Sequence, residues 1–267
     1  MLARRNCLQD LPAGHHAGLM LDKYLRSASE KDAATRLHDA AVLAVAQTSE
    51  AYALAFARWQ TAYGACYPTG QTRRAIITTQ DRLAIGLGNA SPFEVGLTLD
   101  HTYGLPFLPG SALKGLAAAH ASQAWGVNEA RWKEKTGEYH RFVFGDTAQA
   151  GCIDFFDAWI RPESVNGTTL VPDVTTPHHS AYYSANDQDQ IPAADWDSPV
   201  PVSFLTVNKG VKFELVLGCD LLAESPAERD TICGWLKLVS ELLCEALKHR
   251  GLGGKTSSGY GMVELKY

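Results

Sequence analysis

Five glycines fall within the eleven residues from Gly251 to Gly261, directly after a segment with strong helix signals. Glycine tolerates positive φ and has no Cβ, so such a run turns sharply and leaves backbone N–H groups open to close approach. Exposed N–H groups of this kind are a common means of holding phosphate. Lys255, Thr256, Ser257 and Ser258 add one charge and three hydroxyl donors. We predict a loop shaped for a ligand, and a flexible helix-to-strand connector is the alternative.

The composition is that of an ordinary globular protein, with 267 residues and 46% hydrophobic content. A net charge of -5 disfavours uniform adhesion to nucleic acid, but the charge is unevenly placed. Residues 151–200 hold eight acids and one base, and the rest of the chain holds 21 acids and 23 bases, which allows a basic face there. The six cysteines form no CxxC pair, and neither a leader nor an apolar run of membrane length is evident. We therefore expect reduced cysteines and a cytoplasmic protein.

The order of periodic segments predicts an α+β protein. Residues 18–63 are alanine-rich, with apolar residues at three- and four-residue steps, which predicts one long helix or a bent pair inside an N-terminal helical extension at 1–70. The rest of the chain, 71–267, reads as strand (73–87), helix (from 111), strand (151–160), a hairpin of two strands (199–207 and 211–219), helix (from 226) and strand (262–265). With the hairpin taken as one element, the coarse order is strand, helix, strand, strand, helix, strand. We interpret this order as βαββαβ, the ferredoxin-like, RRM-like arrangement, in which two helices cover one face of an antiparallel sheet.

Lys114 lies where the start of a helix disfavours a cation. We expect Ser111 to be the N-cap, which puts Lys114 at the third helical position, where the helix dipole repels positive charge. A bound anion would resolve this conflict, because free N–H groups, dipole and lysine would all face one negative group. A solvated surface lysine is the alternative.

Residues 162–198 have four prolines, many Asn and Asp and no sustained period. The segment is too long for a bare connector, so we predict a projecting insertion between the second and third core strands. His178, His179, Tyr182 and Tyr183 lie near its middle and suit stacking against bases. A histidine pair with no cysteine nearby does not make a zinc site, and we expect neither a metal nor a cofactor.

Several segments together resemble the RAMP superfamily of CRISPR proteins, and most of all its members from type III-B Cmr effector complexes. The resemblance extends over nearly the whole chain from about residue 18. The segments that carry it are Gly-Leu-Met-Leu-Asp-Lys-Tyr (18–24), Gly-Leu-Gly-Asn (86–89), Pro-Gly-Ser-Ala-Leu-Lys-Gly (109–115), Phe-Gly-Asp (144–146) before Gly-Cys-Ile-Asp-Phe-Phe-Asp-Ala (151–158), and the glycine-rich loop at 251–261.

This resemblance implies a non-catalytic structural subunit that binds guide RNA in an RNA-targeting complex of antiviral defence. The implied partners are the CRISPR guide RNA, the target RNA, and the backbone RAMP and small subunits of the complex. It also implies that the insertion is a thumb that tilts a base out of the guide–target duplex, whereas its acidity suits a basic neighbouring subunit. We expect RNA to contact Arg73, Arg74, Ser111, Lys114, His178, His179, Gly253, Gly254, Lys255, Thr256, Ser257 and Ser258.

Two other functions remain open. An endoribonuclease could use His101, His178 or His179 with a lysine, because metal-free RNA cleavage needs a base near the 2′-hydroxyl and a cation for the developing charge. Asp22, Asp100 or Asp154 could instead serve a metal-dependent route. The third possibility is a protein-docking subunit that makes little contact with RNA.

Overall fold

The computed structural model describes residues 16–25, 33–93, 95–176, 179, 182–183, 185, 192–199 and 201–267. The described helices of seven or more residues are α1 (Ala17–Lys23), α2 (Ala33–Gln47), α3 (Ser49–Cys66), α4 (Gly110–His120), α5 (Glu138–Phe144) and α6 (Pro226–Arg250). The strands are β1 (Thr72–Thr79), β2 (Phe107–Leu108), β3 (Ile153–Phe155), β4 (Ala158–Ile160), β5 (Leu170–Thr175), β6 (Val202–Val207), β7 (Lys212–Cys219) and β8 (Val263–Lys266). All pairings between these strands are antiparallel, which confirms the predicted α+β class.

The main sheet has six strands in the order β2-β4-β7-β1-β8, with β3 also paired to β7. β1 is central, because Ile77 lies opposite Phe213 of β7 on one side and Leu265 of β8 on the other. The predicted strand over 73–87 ends at Thr79 instead, and the residues after it form only isolated bridges.

The predicted strand over 151–160 is broken into β3 and β4. The break falls at Phe156 and Asp157. The carboxylate Oδ1 of Asp157 accepts a hydrogen bond of 2.7 Å from the N–H of Gly110, at the start of α4. An ideal Cβ on Gly110 would lie 2.1 Å from the carbonyl oxygen of Phe155. The chain therefore leaves the strand where it packs against the start of the helix.

One face of the main sheet is covered by α6 and α4. The β1 residues that point to this face, Ala75, Ile77 and Thr79, are buried. Tyr267, which follows β8, donates its hydroxyl to the Ser240 carbonyl of α6 at 2.8 Å. Helix α6 begins with the predicted capping box of Ser225 and Glu228. The Ser225 hydroxyl accepts the N–H of Glu228, and the Glu228 carboxylate accepts the N–H of Ser225.

The opposite face of the sheet is covered in part by α3. The amide nitrogen of the Gln60 side chain donates to both carboxylate oxygens of Glu214 on β7, at 3.0 and 2.9 Å. The Tyr52 hydroxyl donates to the carbonyl of Ile160 at 2.6 Å, and the rings of Trp59 and Trp159 meet edge to face. Buried residues of the N-terminal helices and of the sheet belong to one hydrophobic cluster. The predicted division of the chain at residue 70 stays a prediction.

Helices α2 and α3 are the bent form of the two predicted arrangements, with an angle of 59° between them. Along the described stretches, no helix taken alone has both the length and the apolar character needed to cross a membrane. Joined across their bend, α2 and α3 meet those two criteria as a pair.

A separate two-stranded sheet is formed by β5 and β6, which we call the ribbon (Leu170–Thr175 and Val202–Val207). The predicted hairpin between 199–207 and 211–219 is therefore wrong. The two segments separate at the turn 208–210 because the backbone of Thr79 forms hydrogen bonds with Gly210 and Val211. Its N–H donates to the Val211 carbonyl at 3.0 Å, and its carbonyl accepts the Gly210 N–H at 2.8 Å. Strand β7 consequently pairs with β1, and β6 pairs with β5.

Candidate nucleic-acid interface

The base of the glycine-rich loop is held by the backbone of residues 82–84. The N–H of Gly254 donates to the Ala84 carbonyl, and the N–H of Gly261 donates to the Arg82 carbonyl, both at 2.8 Å. An ideal Cβ would lie 2.3 Å from the Ala84 oxygen at Gly253 and 2.0 Å from the Leu252 oxygen at Gly261, and both glycines have positive φ. These glycines therefore allow close packing of the chain against itself.

The tip of the loop is open to solvent. Thr256, Ser257, Ser258 and Gly259 are exposed, and the first three form a single 3₁₀ turn after Lys255, which has a left-handed backbone with φ of 57°. In the described chain, the N–H groups of Thr256 and Ser257 have no hydrogen-bond acceptor. The tip thus presents free amide donors beside three hydroxyl groups, an arrangement that can hold an anion.

The ammonium of Lys255 points from the loop toward the ribbon. Its Nζ donates to the Thr175 hydroxyl at 2.9 Å and lies 5.7 Å from the centre of the Phe204 ring. Among the described residues, no carboxylate pairs with Lys255. Its two described contacts are with neutral groups, so its positive charge is available to a negative ligand.

A second set of contacts fixes the loop to the ribbon through Asp173. Its Oδ2 accepts hydrogen bonds from the Tyr260 hydroxyl at 2.7 Å and from the Arg82 guanidinium at 2.5 Å. Burial by itself would raise the pKa of Asp173, but these two hydrogen bonds and that of the Val174 N–H hold the pKa below its ordinary value. The loop, the 82–84 segment and the ribbon are therefore one connected structure.

The start of α4 differs from the prediction. Helix α4 begins at Gly110, and its N-cap is Pro109, so the expectation that Ser111 is the N-cap is wrong. Ser111 was the local candidate for the cap. The group that accepts the N–H of Gly110 is the carboxylate of Asp157, which is 47 residues away and cannot be recognised from local sequence. A carboxylate of the protein thus already occupies part of the place predicted for an anion.

Lys114 then lies in the second turn of α4 rather than at the third helical position. It is half-buried and has no hydrogen bond or ion pair within the described part of the chain. Helix α4 meets the end of α6 at His120, whose Nδ1 accepts a hydrogen bond of 3.4 Å from the Nε of Arg250. Arg250 directly precedes Gly251, the first residue of the glycine-rich loop. Lys114 is six residues from His120, about 9 Å along the helix axis. No direct contact joins Lys114 to Lys255 in the described residues.

The structure does not bring Arg73 and Arg74 to the glycine-rich loop. The guanidinium of Arg73 lies over the Tyr267 ring at 4.2 Å, and that of Arg74 donates to the Gln60 carbonyl at 2.7 Å and pairs with Glu214 at 3.6 Å. Both arginines lie near the beginning of β1, about 17–20 Å along the strand from Thr79, whose partner Val263 follows the loop. They hold α3 and the chain end to the sheet.

The two histidines of the insertion have different outcomes. His178 lies outside the described residues. His179 Nδ1 forms a hydrogen bond of 2.8 Å with the Asp197 carboxylate, and this bond lowers the pKa of Asp197. Tyr183, whose N–H donates to the His179 carbonyl at 3.0 Å, and Trp196 are strongly exposed.

Three residues considered for catalysis, Asp22, Asp100 and His101, line one cleft. Asp154 is elsewhere and accepts a hydrogen bond of 2.7 Å from the Tyr67 hydroxyl. In the described ranges, no group of three or more His, Cys, Asp or Glu side chains is arranged to hold a metal ion.

The sequence analysis missed four residues whose side-chain contacts lie between the glycine-rich loop, the 82–84 segment and the ribbon: Arg82, Asp173, Thr175 and Tyr260. Their contacts join positions about 80 to 90 residues apart, so no local spacing signals them. Only the presence of Tyr260 inside the glycine-rich segment could have drawn attention to one of them.

Residues 76–264 match the RAMP superfamily. This match covers more than half of the chain, and the chain therefore belongs to that superfamily.

Within the superfamily, the chain is similar to Cmr6. It is 29% identical to the CRISPR system Cmr subunit Cmr6 of Pyrococcus furiosus, over 69% of this chain and 65% of that protein. It is 28% identical to the CRISPR system CMR subunit Cmr6 of Saccharolobus solfataricus, over 71% of this chain and 56% of that protein. The chain thus spans less than two thirds of the length of these curated relatives.

A solved structure shares the fold. One chain of the cryo-EM structure of the Type III-B Cmr-beta bound to cognate target RNA matches with a TM-score of 0.54 and 22% identity. The match covers 82% of this chain and 66% of that one.

Proposed function

We propose that this protein is a non-catalytic, guide-RNA-binding structural subunit of a cytoplasmic type III-B CRISPR (Cmr) effector complex that acts in antiviral defence. Its partners are the guide RNA, the target RNA and the neighbouring backbone RAMP and small subunits. Membership of the RAMP superfamily and similarity to Cmr6 support the assignment. The main sheet supports a ferredoxin-like core, because its central strands follow the order β8-β1-β7-β3/β4 with two helices on one face.

The observation that carries the proposal is the exposed loop tip beside Lys255. Free N–H groups, three hydroxyls and an ammonium that has no carboxylate partner among the described residues meet within five residues, and these are groups that suit a phosphodiester backbone. We propose RNA contacts at Gly253, Gly254 and the tip residues Lys255 to Ser258, with Lys114 and Ser111 on the neighbouring helix. The thumb role for 162–198, with His178 and His179, belongs to the same proposal. The contacts of Arg73 and Arg74 favour a structural role for these two arginines.

The experiment is RNA binding by the assembled complex at several salt concentrations. Lys255→Ala removes one phosphate contact, so we expect weaker RNA binding and a salt slope, log affinity against log salt, smaller by about one unit. Lys237→Ala, an exposed lysine in the middle of α6, is the matched control and should leave both quantities unchanged. Equal affinity and salt slope for the wild type and for the Lys114→Ala/Lys255→Ala double variant would contradict the proposed contacts. RNA crosslinks confined to other parts of the chain would contradict them as well.

The described lining of the cleft of Asp22, Asp100 and His101 does not favour the ribonuclease alternative. Neither lysine nor arginine is among the described residues that line the cleft of Asp22, Asp100 and His101, so nothing there stabilises a phosphorane. Incubation of the purified chain with labelled guide and target RNA, with and without Mg²⁺, tests this point. We expect intact RNA. Defined products that disappear in Asp22→Asn or His101→Ala would establish an enzyme instead.

A further inference from the structure

The cleft of about 320 Å³ lies where two of the sequence segments noted above meet, 18–24 and 86–89. Helix α1 packs against the loop 100–104 so closely that a Cβ on Gly104 would lie 2.9 Å from the Ala17 nitrogen. The other wall is the turn from Gly86 to Thr98, in which a Cβ on Gly96 would lie 2.7 Å from the Gly86 oxygen. The cleft is therefore shaped by close backbone contacts, and its volume is in the range of small-ligand sites.

Several of the side chains that line the cleft offer hydrogen-bond acceptors. Asp22 is exposed on α1, and within the described chain its carboxylate has neither a hydrogen bond nor an ion pair. Of the two oxygens of Asp100, Oδ1 alone accepts hydrogen bonds from described residues, namely the N–H groups of Thr102 at 3.0 Å and Tyr103 at 2.7 Å. The Nδ2 of Asn89 donates to the Thr98 hydroxyl at 3.2 Å, so its own oxygen is left as an acceptor.

A buried histidine completes the lining. His38 is only 2% exposed, and its ring packs on Phe93 with 4.9 Å between ring centres. Its Nδ1 is 3.1 Å from the Ser203 hydroxyl, whereas Nε2 has no hydrogen-bond partner in the described residues. Burial lowers the pKa of His38 to about 4, which keeps the ring neutral near pH 7. If Nδ1 donates to Ser203, Nε2 is a further acceptor on the cleft wall.

We propose that this cleft receives the guanidinium group of an arginine from a neighbouring protein subunit. A guanidinium carries five N–H donors and no acceptor, so it complements a lining of carboxylate, amide and imidazole acceptors. Its planar fork pairs with a carboxylate through two hydrogen bonds, and its alkyl stem suits apolar wall residues such as Leu21 and Phe93. RNA is the less suitable occupant, because two carboxylates without a neighbouring lysine or arginine among the described lining residues repel a phosphate.

The proposal rests on the proposed function in one respect, since the arginine is taken to come from another subunit of the complex. It differs in the surface used, because the loop tip holds RNA and this cleft holds protein. RNA binding at the loop tip and arginine binding in the cleft can therefore be refuted separately.

The first test titrates the full chain with small probe molecules and detects their binding by the backbone amide signals in NMR spectra. We expect ethylguanidinium to shift the amide signals of residues 99–102 and of α1 with millimolar affinity, and ethylammonium of equal charge to bind more weakly. Asp22→Asn should weaken ethylguanidinium at least fivefold, and Asp230→Asn, an exposed acid on α6, should not change it. Tighter binding of guanosine monophosphate than of ethylguanidinium at these residues overturns the proposal in favour of RNA. The absence of a guanidinium-specific shift also overturns it.

The second test measures binding of this chain to the remaining assembled subunits. We expect Asp22→Asn to lower that affinity about tenfold while RNA crosslinks at the loop tip persist in the complexes that form. If the wild-type chain assembles and Asp22→Asn assembles with unchanged affinity, the arginine site is refuted and the proposed function stands. If the wild-type chain does not join such an assembly, the proposed function fails first.

Discussion

Replacement of Gly261 by alanine should destabilise the protein far more than replacement of Gly259, although both residues belong to the same loop and have positive φ. The φ angles are 76° at Gly261 and 88° at Gly259. Alanine in this left-handed region costs about 1–2 kcal/mol at either position. The surroundings differ, because a Cβ at Gly261 would lie 2.0 Å from the Leu252 oxygen, whereas a Cβ at Gly259 has open space within 4 Å.

The extra cost at Gly261 follows from this contact. The atom in the way is backbone, and Leu252 also donates its N–H to the Gly261 carbonyl at 2.9 Å, so the neighbour cannot move without loss of that bond. Forced overpacking of this kind costs about 1–3 kcal/mol. We therefore expect the free energy of unfolding to fall by about 2–5 kcal/mol for Gly261→Ala and by about 1–2 kcal/mol for Gly259→Ala.

Urea unfolding followed by circular dichroism measures both variants, and the thermal midpoint gives a second reading. At about 2–4 °C per kcal/mol, the midpoint of Gly261→Ala should drop roughly twice as far as that of Gly259→Ala. Equal losses in the two variants would refute the reasoning, because the close contact with Leu252 would then have no energetic effect.

Three further predictions concern the contacts around the sheet and the ribbon. Tyr52→Phe leaves the buried Ile160 carbonyl without the hydroxyl donor and should lower the free energy of unfolding in urea by about 1–3 kcal/mol. Tyr183→Phe, at an exposed position, is the control and should cause no measurable change. Equal values for the two variants would contradict the packing of α3 on the sheet. Asp173→Ala removes the acceptor shared by Arg82 and Tyr260, so amide hydrogen exchange in residues 251–261 should be faster than in the wild type. Asp230→Ala is the control and should leave the exchange rates unchanged. Unchanged exchange in Asp173→Ala would show that the ribbon does not hold the loop. Because burial lowers the pKa of His38 to about 4, the unfolded chain binds a proton below about pH 6.5 that the folded chain does not, so stability is lost as pH falls from about 6.5 to about 4. Between pH 7 and pH 5 this loss is about 2 kcal/mol, and His38→Gln should show a correspondingly smaller drop in its thermal midpoint; an identical pH profile would exclude His38 as the cause.

Local signals in the sequence predicted the elements that local contacts determine. The capping box at Ser225 and Glu228 marked the start of α6, and the period of residues 18–63 marked the bent helices. The predictions failed where a distant residue decides the outcome. Asp157 caps α4 in place of Ser111, and Thr79 separates β6 from β7.

The same distinction applies to the candidate site. The glycine spacing and Lys255 were visible in the sequence because they lie within one short loop, and their contact with RNA stays a prediction. The Thr175 and Asp173 contacts that orient the loop depend on how the ribbon packs, which no spacing reveals. Arg73 and Arg74 were predicted to contact RNA on their charge, and charge alone does not tell which basic side chains also contact other parts of the protein, as these two do.

The position of α3 has a consequence for how any long polymer meets this protein. A helix of the chain itself lies where a bare sheet would offer its broad surface, with Gln60 and Tyr52 bonded to strands beneath it. Bases therefore have no open platform of side chains on which to spread across that part of the sheet. If the proposed function holds, RNA would contact the protein at the edge of the sheet through its phosphate backbone, and its binding would then depend little on base sequence.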